Sequence, residues 1–592
     1  MPSVLVGSAF AQDDRPTVSR KKPASSNATV NLVNLLVQQG VLNEEQAGAL
    51  IKQAEDEAYV AREAARDATV KADDAAKAAT AAAAAASPPG SKRVTYVPEV
   101  VKRQLREDLR KEVMSQAKAE GWASPGTYPE WASRIRFSGD VRARWEGIWY
   151  PKGGFNSTGQ IVDFNTINTG SPYDVSDLEQ GDPPLYNTTK DRNRTRLRAR
   201  LGLDADLYEG FTAGLRIGTG SDSSPVSTNQ TLGGSGGNFS KYALWLDRAY
   251  VKFEPFKYPY FTDFAAYNGF GPSSLTFNIG RFDNPFWSPT ELVWDTDLGF
   301  DGVAVQAQHE VWSGFAPFLV AGAFPIFNTS LDFSSRDLVK FKSEDKYLFG
   351  AQLGFQWRAA PLVDVTFAVS YFDYSNVRGQ LSSPCDVSVA PACDTDHLRP
   401  SFAQKGNTYM ALRDIIPPPG DFLYPMPQYF GLASEFRPVV ASARFDFAHF
   451  DPIHIVADGE FVWNSAFDRA AVAAVAVNNL APDLIPGQLP GPFSGGNLGW
   501  LTRVTVGHTK LNQFGDWNVH VGYKYLESDA VMDAFADSDF GLGGTNLKGY
   551  FVGSNVALAK NVWASARWLS ANAIDGAPYA VDIFQLDLNA KF

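Results

Sequence analysis

Hydrophobic and polar residues alternate with a period of two from residue 134 to the end of the chain. The segment 192–206, RNRTRLRARLGLDAD, shows this most clearly, because arginine occupies every even position up to 200 while leucine or alanine occupies the odd positions from 197. Successive side chains of a β-strand point to opposite faces, so the pattern predicts a strand with one basic face and one apolar face. The same alternation recurs in 134–146, 349–357, 363–371, 517–525 and 584–592.

Two architectures place such a strand differently. A soluble sandwich buries the leucines in a core, whereas a membrane barrel turns them toward lipid and the arginines toward an aqueous lumen. The positions opposite the apolar face are mostly Arg, Asp, Gln, Thr, Ser, Gly and Lys, which cannot form the second half of a sandwich core. A barrel is therefore predicted, and an extracellular all-β fold is the alternative.

The connections between the predicted strands support the barrel. Short connections such as 208–210 and 451–452 alternate with long, polar ones such as 375–435, and 254–274 is the one connection that is long where a short one is expected. Short turns at one rim and long loops at the other are typical of outer-membrane barrels, whose strand number is even. We predict an all-β transmembrane barrel of about 16 antiparallel strands over residues 134–592.

The first 130 residues have a helical pattern instead. Residues 1–14 resemble the end of a secretory signal peptide, with Ala9 and Ala11 as its small residues. Residues 30–90 predict an Ala-rich helical arm whose small residues step by four and three, either as a coiled-coil seam or as a single solvated helix. Residues 91–130 predict an amphipathic helix and a linker.

Composition limits the partners. The 592 residues carry a net charge of −12, which argues against nucleic acid as a partner, and contain no apolar run long enough for a transmembrane helix. The two cysteines, Cys385 and Cys393, lie in the longest loop, and they are expected to pair there if the loop is in an oxidising compartment. No catalytic residues, metal site or cofactor are predicted, since the Gly-x-Ser-x-Gly match at 233–237 lies in a glycine-rich loop.

The candidate chemistry is a wall of inward-facing arginines. A charged lumen attracts solutes of opposite sign, so this wall predicts a bias toward anions. The alternative is that the arginines neutralise neighbouring carboxylates and mainly stabilise the wall. The predicted pore-lining basic residues are Arg134, Arg136, Arg142, Arg144, Arg192, Arg194, Arg196, Arg198 and Arg200.

Several segments carry a resemblance to a known family. They are YVPEVVKRQLREDLRKEV at 96–113, RIRFSGDVRARWEG at 134–147, RNRTRLRARLG at 192–202, WDTDLGFDGVAVQ at 294–306 and DSDFGLGGTNLKGY at 537–550. With the terminal Phe592, they resemble the Gram-negative outer-membrane "putative porin" family. The resemblance implies a porin barrel in outer-membrane lipid, a periplasmic N-terminal helical segment, a homotrimer, and recognition of Phe592 by the barrel-assembly machinery.

The resemblance also implies that the third extracellular loop folds into the barrel. The corresponding loop of this chain is 283–298. We predict that acidic residues of this loop, with Asp301 just beyond it, face the inward arginines across a constriction. The alternative is an ordinary solvated loop. The predicted acidic residues are Asp283, Glu291, Asp295, Asp297 and Asp301.

The predicted function is a passive porin, a water-filled channel for small hydrophilic solutes with some anion bias. A structural tether is the alternative, in which the barrel anchors the chain and the helical arm contacts the cell wall or a periplasmic partner. An outer-membrane enzyme is not favoured, because neither a Ser/His pair nor an acidic dyad is evident.

Overall fold

The computed structural model divides the chain into two compact units, Met1–Gly126 and Thr127–Phe592. In the first unit it describes only residues 52, 70, 71, 74 and 77, each in helical conformation. The second is described from 133 onward, except for 152–160, 177–181, 235–236, 238, 259–261, 263–272, 329–343, 389–391, 422–423 and 482–490. The predicted segment 1–14, the rest of the arm 30–90 and the helix and linker at 91–130 therefore lie outside the described residues.

Sixteen long strands form a closed antiparallel barrel. Each strand pairs with the next along the chain, and the last pairs with the first, so the sheet has no free edge. The strands are β1 Ile135–Trp149, β2 Arg192–Asp206, β3 Phe211–Gly218, β4 Trp245–Phe253, β5 Ser273–Asp283, β6 Gly299–His309, β7 Phe315–Phe327, β8 Lys346–Ala360, β9 Val363–Ser375, β10 Pro438–Phe450, β11 Ile453–Asn464, β12 Leu498–His508, β13 Trp517–Leu526, β14 Leu547–Ala559, β15 Val562–Ala573 and β16 Ala580–Lys591.

The connections define two different rims. One rim carries short turns such as 361–362 and 560–561, and the opposite rim carries the longest connection, 376–437. We call these the short-turn rim and the long-loop rim. The connection after β4, 254–272, is long although it lies on the short-turn rim, as the sequence predicted.

Small elements order the connections, and one of them, the short strand Gln230–Thr231, pairs with β2 at Leu197 and Arg196. In the part of the chain that the structure describes, no helix has the length and apolar character needed to cross a bilayer. These elements are the α-helices α1 Phe164–Thr169 and α2 Arg469–Ala473, the 3₁₀-helices Pro255–Lys257, Asp396–Leu398, Asp533–Phe535 and Phe540–Leu542, and the short strands Tyr173–Asp174, Gln230–Thr231, Tyr409–Ala411, Pro427–Gln428 and Phe430–Leu432.

The barrel closes at the end of the chain. The amide of Phe592 donates to the carbonyl of Gly139 on β1, at 3.0 Å, and the Gly139 amide donates back to Phe592 at 2.9 Å. The Phe592 ring is 66% exposed. The terminal residue thus extends the β1–β16 pairing and places an apolar ring at the short-turn rim.

The alternating pattern separates an outer face from an inner face. Along β8, Tyr347, Phe349 and Leu353 are exposed, whereas their neighbours Leu348 and Gln352 are buried. Large apolar residues are exposed in the same way on strands all round the barrel. Contiguous apolar surface of this extent requires an apolar solvent, which lipid provides.

The inner face is not polar throughout, and this corrects the prediction. On β5 to β9 the buried inward residues include Phe282, Phe300, Phe324, Leu348 and Phe372. These apolar side chains are stable inside the barrel because loops from the long-loop rim cover them and exclude water. The alternation within a single strand contains no information about such loops. We call these five residues the aromatic wall.

Candidate functional site: the charged lumen and the loop that crosses it

The connection between β5 and β6, residues 284–298, crosses the interior of the barrel. We call it the crossing loop. Gln352 on β8 pairs with the backbone of Trp287, accepting from its amide and donating to its carbonyl, both at 2.8 Å. Arg503 on β12 donates to the carbonyl of Pro289 at 2.6 Å, and Lys524 on β13 donates to that of Glu291 at 3.2 Å. The loop therefore reaches strands far from the two that it connects.

A buried carboxylate on β11 also holds the crossing loop. Glu460 accepts hydrogen bonds from the hydroxyls of Ser288, at 3.0 Å, and Thr290 of the loop, and from Ser442 on β10 at 2.8 Å. These hydroxyl donors offset part of the cost of burying this carboxyl group. This pins the middle of the loop to the wall.

The loop then returns to the arginine wall at Asp297. Its carboxylate lies 3.4 Å from Arg198 and 3.3 Å from Arg200, and it also accepts from the amide and hydroxyl of Thr228. Burial alone would raise the pKa of Asp297, but Arg198 and Arg200 outweigh burial and lower it. The end of the loop is thus held against β2 by a charged carboxylate.

Apolar packing fixes the other side of the crossing loop. The Phe286 ring makes edge contacts with Phe300, Phe324 and Phe372 of the aromatic wall, with centroid distances between 4.9 and 6.1 Å. The indole of Trp294 contacts Phe300 and Phe372, both at 5.1 Å. One loop therefore joins an aromatic wall to a charged wall.

A second segment enters the lumen from the connection between β13 and β14. Asp539 binds Arg144 on β1, at 2.9 Å, and Arg567 on β15. Burial would raise the pKa of Asp539, but Arg144 and Arg567 hold it well below its usual range. The segment also meets the crossing loop, since the Ser538 amide donates to Asp295 at 2.9 Å.

The nine predicted arginines divide into two groups. Arg144 bridges Asp587 and Asp539, Arg194 binds Glu146, and Arg198 and Arg200 share Asp140 and Asp297. Among the described residues, the other five form no ion pair. They are Arg134, Arg136, Arg142, Arg192 and Arg196.

Those five arginines lie at different heights in the barrel, three near its rims and two between the rims. Arg134 stacks on the Tyr208 ring at 3.7 Å near the short-turn rim, and Arg192 donates to the Tyr150 hydroxyl at 2.7 Å near the long-loop rim. Arg136 is exposed close to the short-turn rim. Arg142 and Arg196 instead lie within the wall, half-buried between the paired arginines.

The predicted acidic residues also divide. Asp283 ends β5, where it binds Arg216 and Arg248 at 2.8 Å each, and Asp301 lies in β6 against Arg281. Glu291, Asp295 and Asp297 belong to the crossing loop, and Asp297 is the one of the five that contacts Arg198 and Arg200.

Asp295 is buried and Glu291 is half-buried, and both face other acids. Burial raises the pKa of Asp295 well above its usual value, and the nearby Glu291 adds to this. Burial likewise raises the pKa of Glu291, with a contribution from Asp537. The loop therefore presents one carboxyl group, that of Asp297, to the arginines of β2, rather than a row of them.

The two cysteines form a disulfide in the long connection 376–437. Cys393 is buried. The backbone of Cys385 forms an isolated β-bridge with that of Ile415, in the same connection. The disulfide closes a small loop at the long-loop rim, away from the arginine wall.

Several residues of the site were not predicted. Asp539 and Asp587 neutralise Arg144, and Glu460 holds the crossing loop, yet none of the three was singled out. Alternation places Asp587 on the inner face of β16, so the strand pattern contained that signal. Nothing local to Asp539 or Glu460 indicates which distant groups they meet.

A closed antiparallel barrel with a charged interior, crossed by one of its own loops, defines an outer-membrane channel of the porin class. A family model described as "Putative porin" matches residues 26–592. The chain belongs to this putative porin family, and it is a general outer-membrane channel.

Solved structures show similarity at low identity. The outer membrane channel DcaP of Acinetobacter baumannii is 12% identical, with a TM-score of 0.33 and coverage of 77% of this chain and 97% of that one. Pseudomonas putida OprB at high pH is 11% identical, with a TM-score of 0.39 and coverage of 78% and 95%. An anion-selective porin from Comamonas acidovorans is 8% identical, with a TM-score of 0.33 and coverage of 77% and 99%.

No curated protein matches the sequence. The trimer, the recognition of Phe592 by the barrel-assembly machinery and the contact of the arm with the cell wall stay predictions.

Proposed function

We propose that this channel is passive, admits small hydrophilic solutes and prefers anions, and that Arg142 and Arg196 supply the preference. The observation that carries the proposal is that these two arginines lie inside the wall without a carboxylate partner among the described residues. Their neighbours Arg144, Arg194, Arg198 and Arg200 are all ion-paired.

The balance of charge in the wall favours this assignment. The connected cluster holds seven arginines, the six from 142 to 200 that lie within the wall plus Arg567, against five carboxylates, Asp140, Glu146, Asp297, Asp539 and Asp587. Two positive charges are left in excess. A charged wall of low dielectric concentrates ions of opposite sign beside it.

The surroundings of Arg142 and Arg196 leave both guanidinium charges without a carboxylate partner. Arg142 donates to the amide oxygen of Asn229, and Arg196 donates to the hydroxyl of Ser227 at 3.2 Å, so both partners are neutral. The Nε atoms of both arginines are buried and have no hydrogen-bond partner within the described residues. Guanidinium groups bind carboxylates and phosphates through paired N–H donors, which makes such anions the best-matched solutes.

The strand register brings the two arginines together. Arg142 is opposite Arg198, and Arg144 is opposite Arg196, so Arg142 and Arg196 are diagonal neighbours on the inner face of β1 and β2. A single anion can therefore interact with both.

The proposal is tested by replacing both arginines with glutamine and measuring the reversal potential of single channels in a potassium chloride gradient. We expect the R142Q/R196Q variant to lose most of the chloride preference of the unmodified channel, because the other arginines within the wall, Arg144, Arg194, Arg198 and Arg200, are ion-paired. An unchanged reversal potential would refute the assignment.

The control variant R358Q/R437Q removes the same charge elsewhere. Arg358 and Arg437 are exposed and paired with Asp364 and Asp373, outside the wall. This variant should keep the chloride preference, which separates a local effect from a change in net charge.

A further inference from the structure

A cavity of about 680 Å³ opens among the loops of the long-loop rim. The crossing loop contributes Trp294, Asp297 and Leu298 to its lining, and the 527–546 connection contributes Phe535. This volume falls in the range of roughly 300–1,000 Å³ that holds a small organic ligand. The cavity is thus large enough for a solute, and Asp297 lines it while also binding the arginine wall.

One side of the cavity is apolar. Phe300, Phe324 and Leu348 of the aromatic wall meet Trp294 and Phe402 there. Phe300 and Trp294 are buried, whereas Phe402 is half-buried and lies in the connection 376–437. Such a surface favours contact with a planar or aliphatic ring.

The other side is rich in hydroxyl groups. Residues 219–228 place two threonines and four serines along it, and Ser401 lies near Phe402. The hydroxyls of Ser224 and Ser401 have no hydrogen-bond partner in the part of the chain that the structure describes. Free hydroxyls facing a cavity can donate to, and accept from, the hydroxyls of a solute.

Most charged groups of the cavity are ion-paired or hydrogen-bonded, whereas Asp222, at its exposed edge, has no ion pair among the described residues. Asp301 binds Arg281 at 2.5 Å, and Asp297 binds Arg198 and Arg200. The Lys346 ammonium donates to the carbonyls of Leu398 and Arg399 at 3.0 and 3.1 Å. The cavity therefore does not demand an ionic ligand.

We propose that this cavity is a binding site for a neutral, hydroxylated solute that carries an aromatic ring, the ring against the aromatic side and the hydroxyls against the serines. This inference rests on the proposed function and extends it. The channel would bind this class of solute in the cavity, on the long-loop side of the crossing loop. Arg142 and Arg196 then act on anions, and the cavity acts on amphipathic neutral solutes.

The test uses calorimetry on the full chain in lipid nanodiscs. Detergent is avoided, because an alkyl glycoside has the same amphipathic chemistry as the ligand. The probes are 4-nitrophenyl-β-D-glucoside, which has both the ring and the hydroxyls, and methyl-β-D-glucoside, which lacks the ring. We expect the first probe to bind saturably and at least about tenfold more tightly, because it buries an aromatic ring.

Three variants locate the site. Phe402→Ala should weaken binding of the nitrophenyl probe about tenfold, and Ser224→Trp should abolish it by filling the cavity. Phe467→Ala removes a ring that packs against Phe493 outside the cavity, and it should leave binding unchanged. If Phe402→Ala does not fold, Ser224→Trp still gives the result.

Each outcome decides between the proposals. Equal binding of the two probes, no saturable binding beyond empty nanodiscs, or binding that survives Ser224→Trp would overturn the cavity site. If the same preparation conducts ions with chloride preference but binds no probe, the inference fails alone. If it binds the probe as expected but does not conduct, the channel proposal fails, and the cavity is a binding site without the transport role that rests on the channel.

Discussion

The arginine wall and the aromatic wall have the same alternating strand pattern, yet the inner face of the first is charged and that of the second is apolar. On β1 and β2 the inward positions include long, charged arginines, and carboxylates from β1, β16 and two loops pair with four of them. On β5 to β9 the inward positions include phenylalanines, and Phe286 and Trp294 of the crossing loop cover them. The first wall keeps contact with ions, whereas the second acts as a small hydrophobic core.

The difference teaches that an inward position in a barrel is not necessarily a wet one. Water reaches an inner face only where no loop fills the lumen beside it. The crossing loop fills the lumen beside the aromatic wall and meets the arginine wall at Asp297. Its sequence therefore decides which part of the lumen is wet.

The largest expected effect comes from breaking the aromatic wall. Phe286→Ala removes a buried ring that contacts three others, which should cost about 3–5 kcal/mol of the free energy of unfolding. It should also raise the single-channel conductance, because the crossing loop loses its apolar anchor. Urea unfolding from phospholipid vesicles and bilayer recordings measure the two effects.

The matched control for that variant is Phe349→Ala. Phe349 lies on β8 close to the aromatic wall but faces outward, 47% exposed. It should destabilise the barrel less and leave the conductance unchanged. Equal effects for the two variants would contradict the assignment of Phe286 to an interior core.

Breaking the paired part of the arginine wall should come next. Arg144→Met leaves the carboxylates of Asp539 and Asp587 in a buried site without their shared partner. The loss of one member of a buried ion pair costs about 3 kcal/mol or more, again measured by urea unfolding. Arg358→Gln breaks an exposed pair and should cost less than about 1 kcal/mol, so a similar loss in both would remove the distinction.

The smallest expected effect is at Asp297, where the crossing loop contacts the arginine wall. Asp297→Asn removes a carboxylate from the arginine wall, so the chloride preference should rise modestly, opposite to the change expected for R142Q/R196Q. The rise is modest because Asp140 still pairs with both Arg198 and Arg200. The reversal potential measures this rise. The control Asp364→Asn makes the same change at an exposed ion pair and should have no effect. A fall in chloride preference for Asp297→Asn would show that Asp297 does not set the charge of the wall.

The barrel could be predicted from sequence because its rule is local. Alternation fixes which face each residue takes, and the lengths of the connections fix the rims, so both followed from segments such as 192–206. The inward direction of the nine arginines follows from the same rule.

The partners of those arginines could not be predicted, because they depend on register and on loop paths. Arg144 meets Asp587 through the pairing of the first and last strands, 443 residues apart in sequence. Asp539 and Asp297 meet the wall because two loops fold inward, and no short-range pattern encodes where such a loop ends. The polar interior expected on β5 to β9 was wrong for the same reason, since a loop excludes water there.

The central claim is that two unpaired arginines leave the lumen with a positive excess. The most direct test is the reversal potential of single channels of the unmodified chain in a potassium chloride gradient at neutral pH. We expect a potential that reports preference for chloride over potassium. A potential of zero, or one that reports preference for potassium, would contradict it.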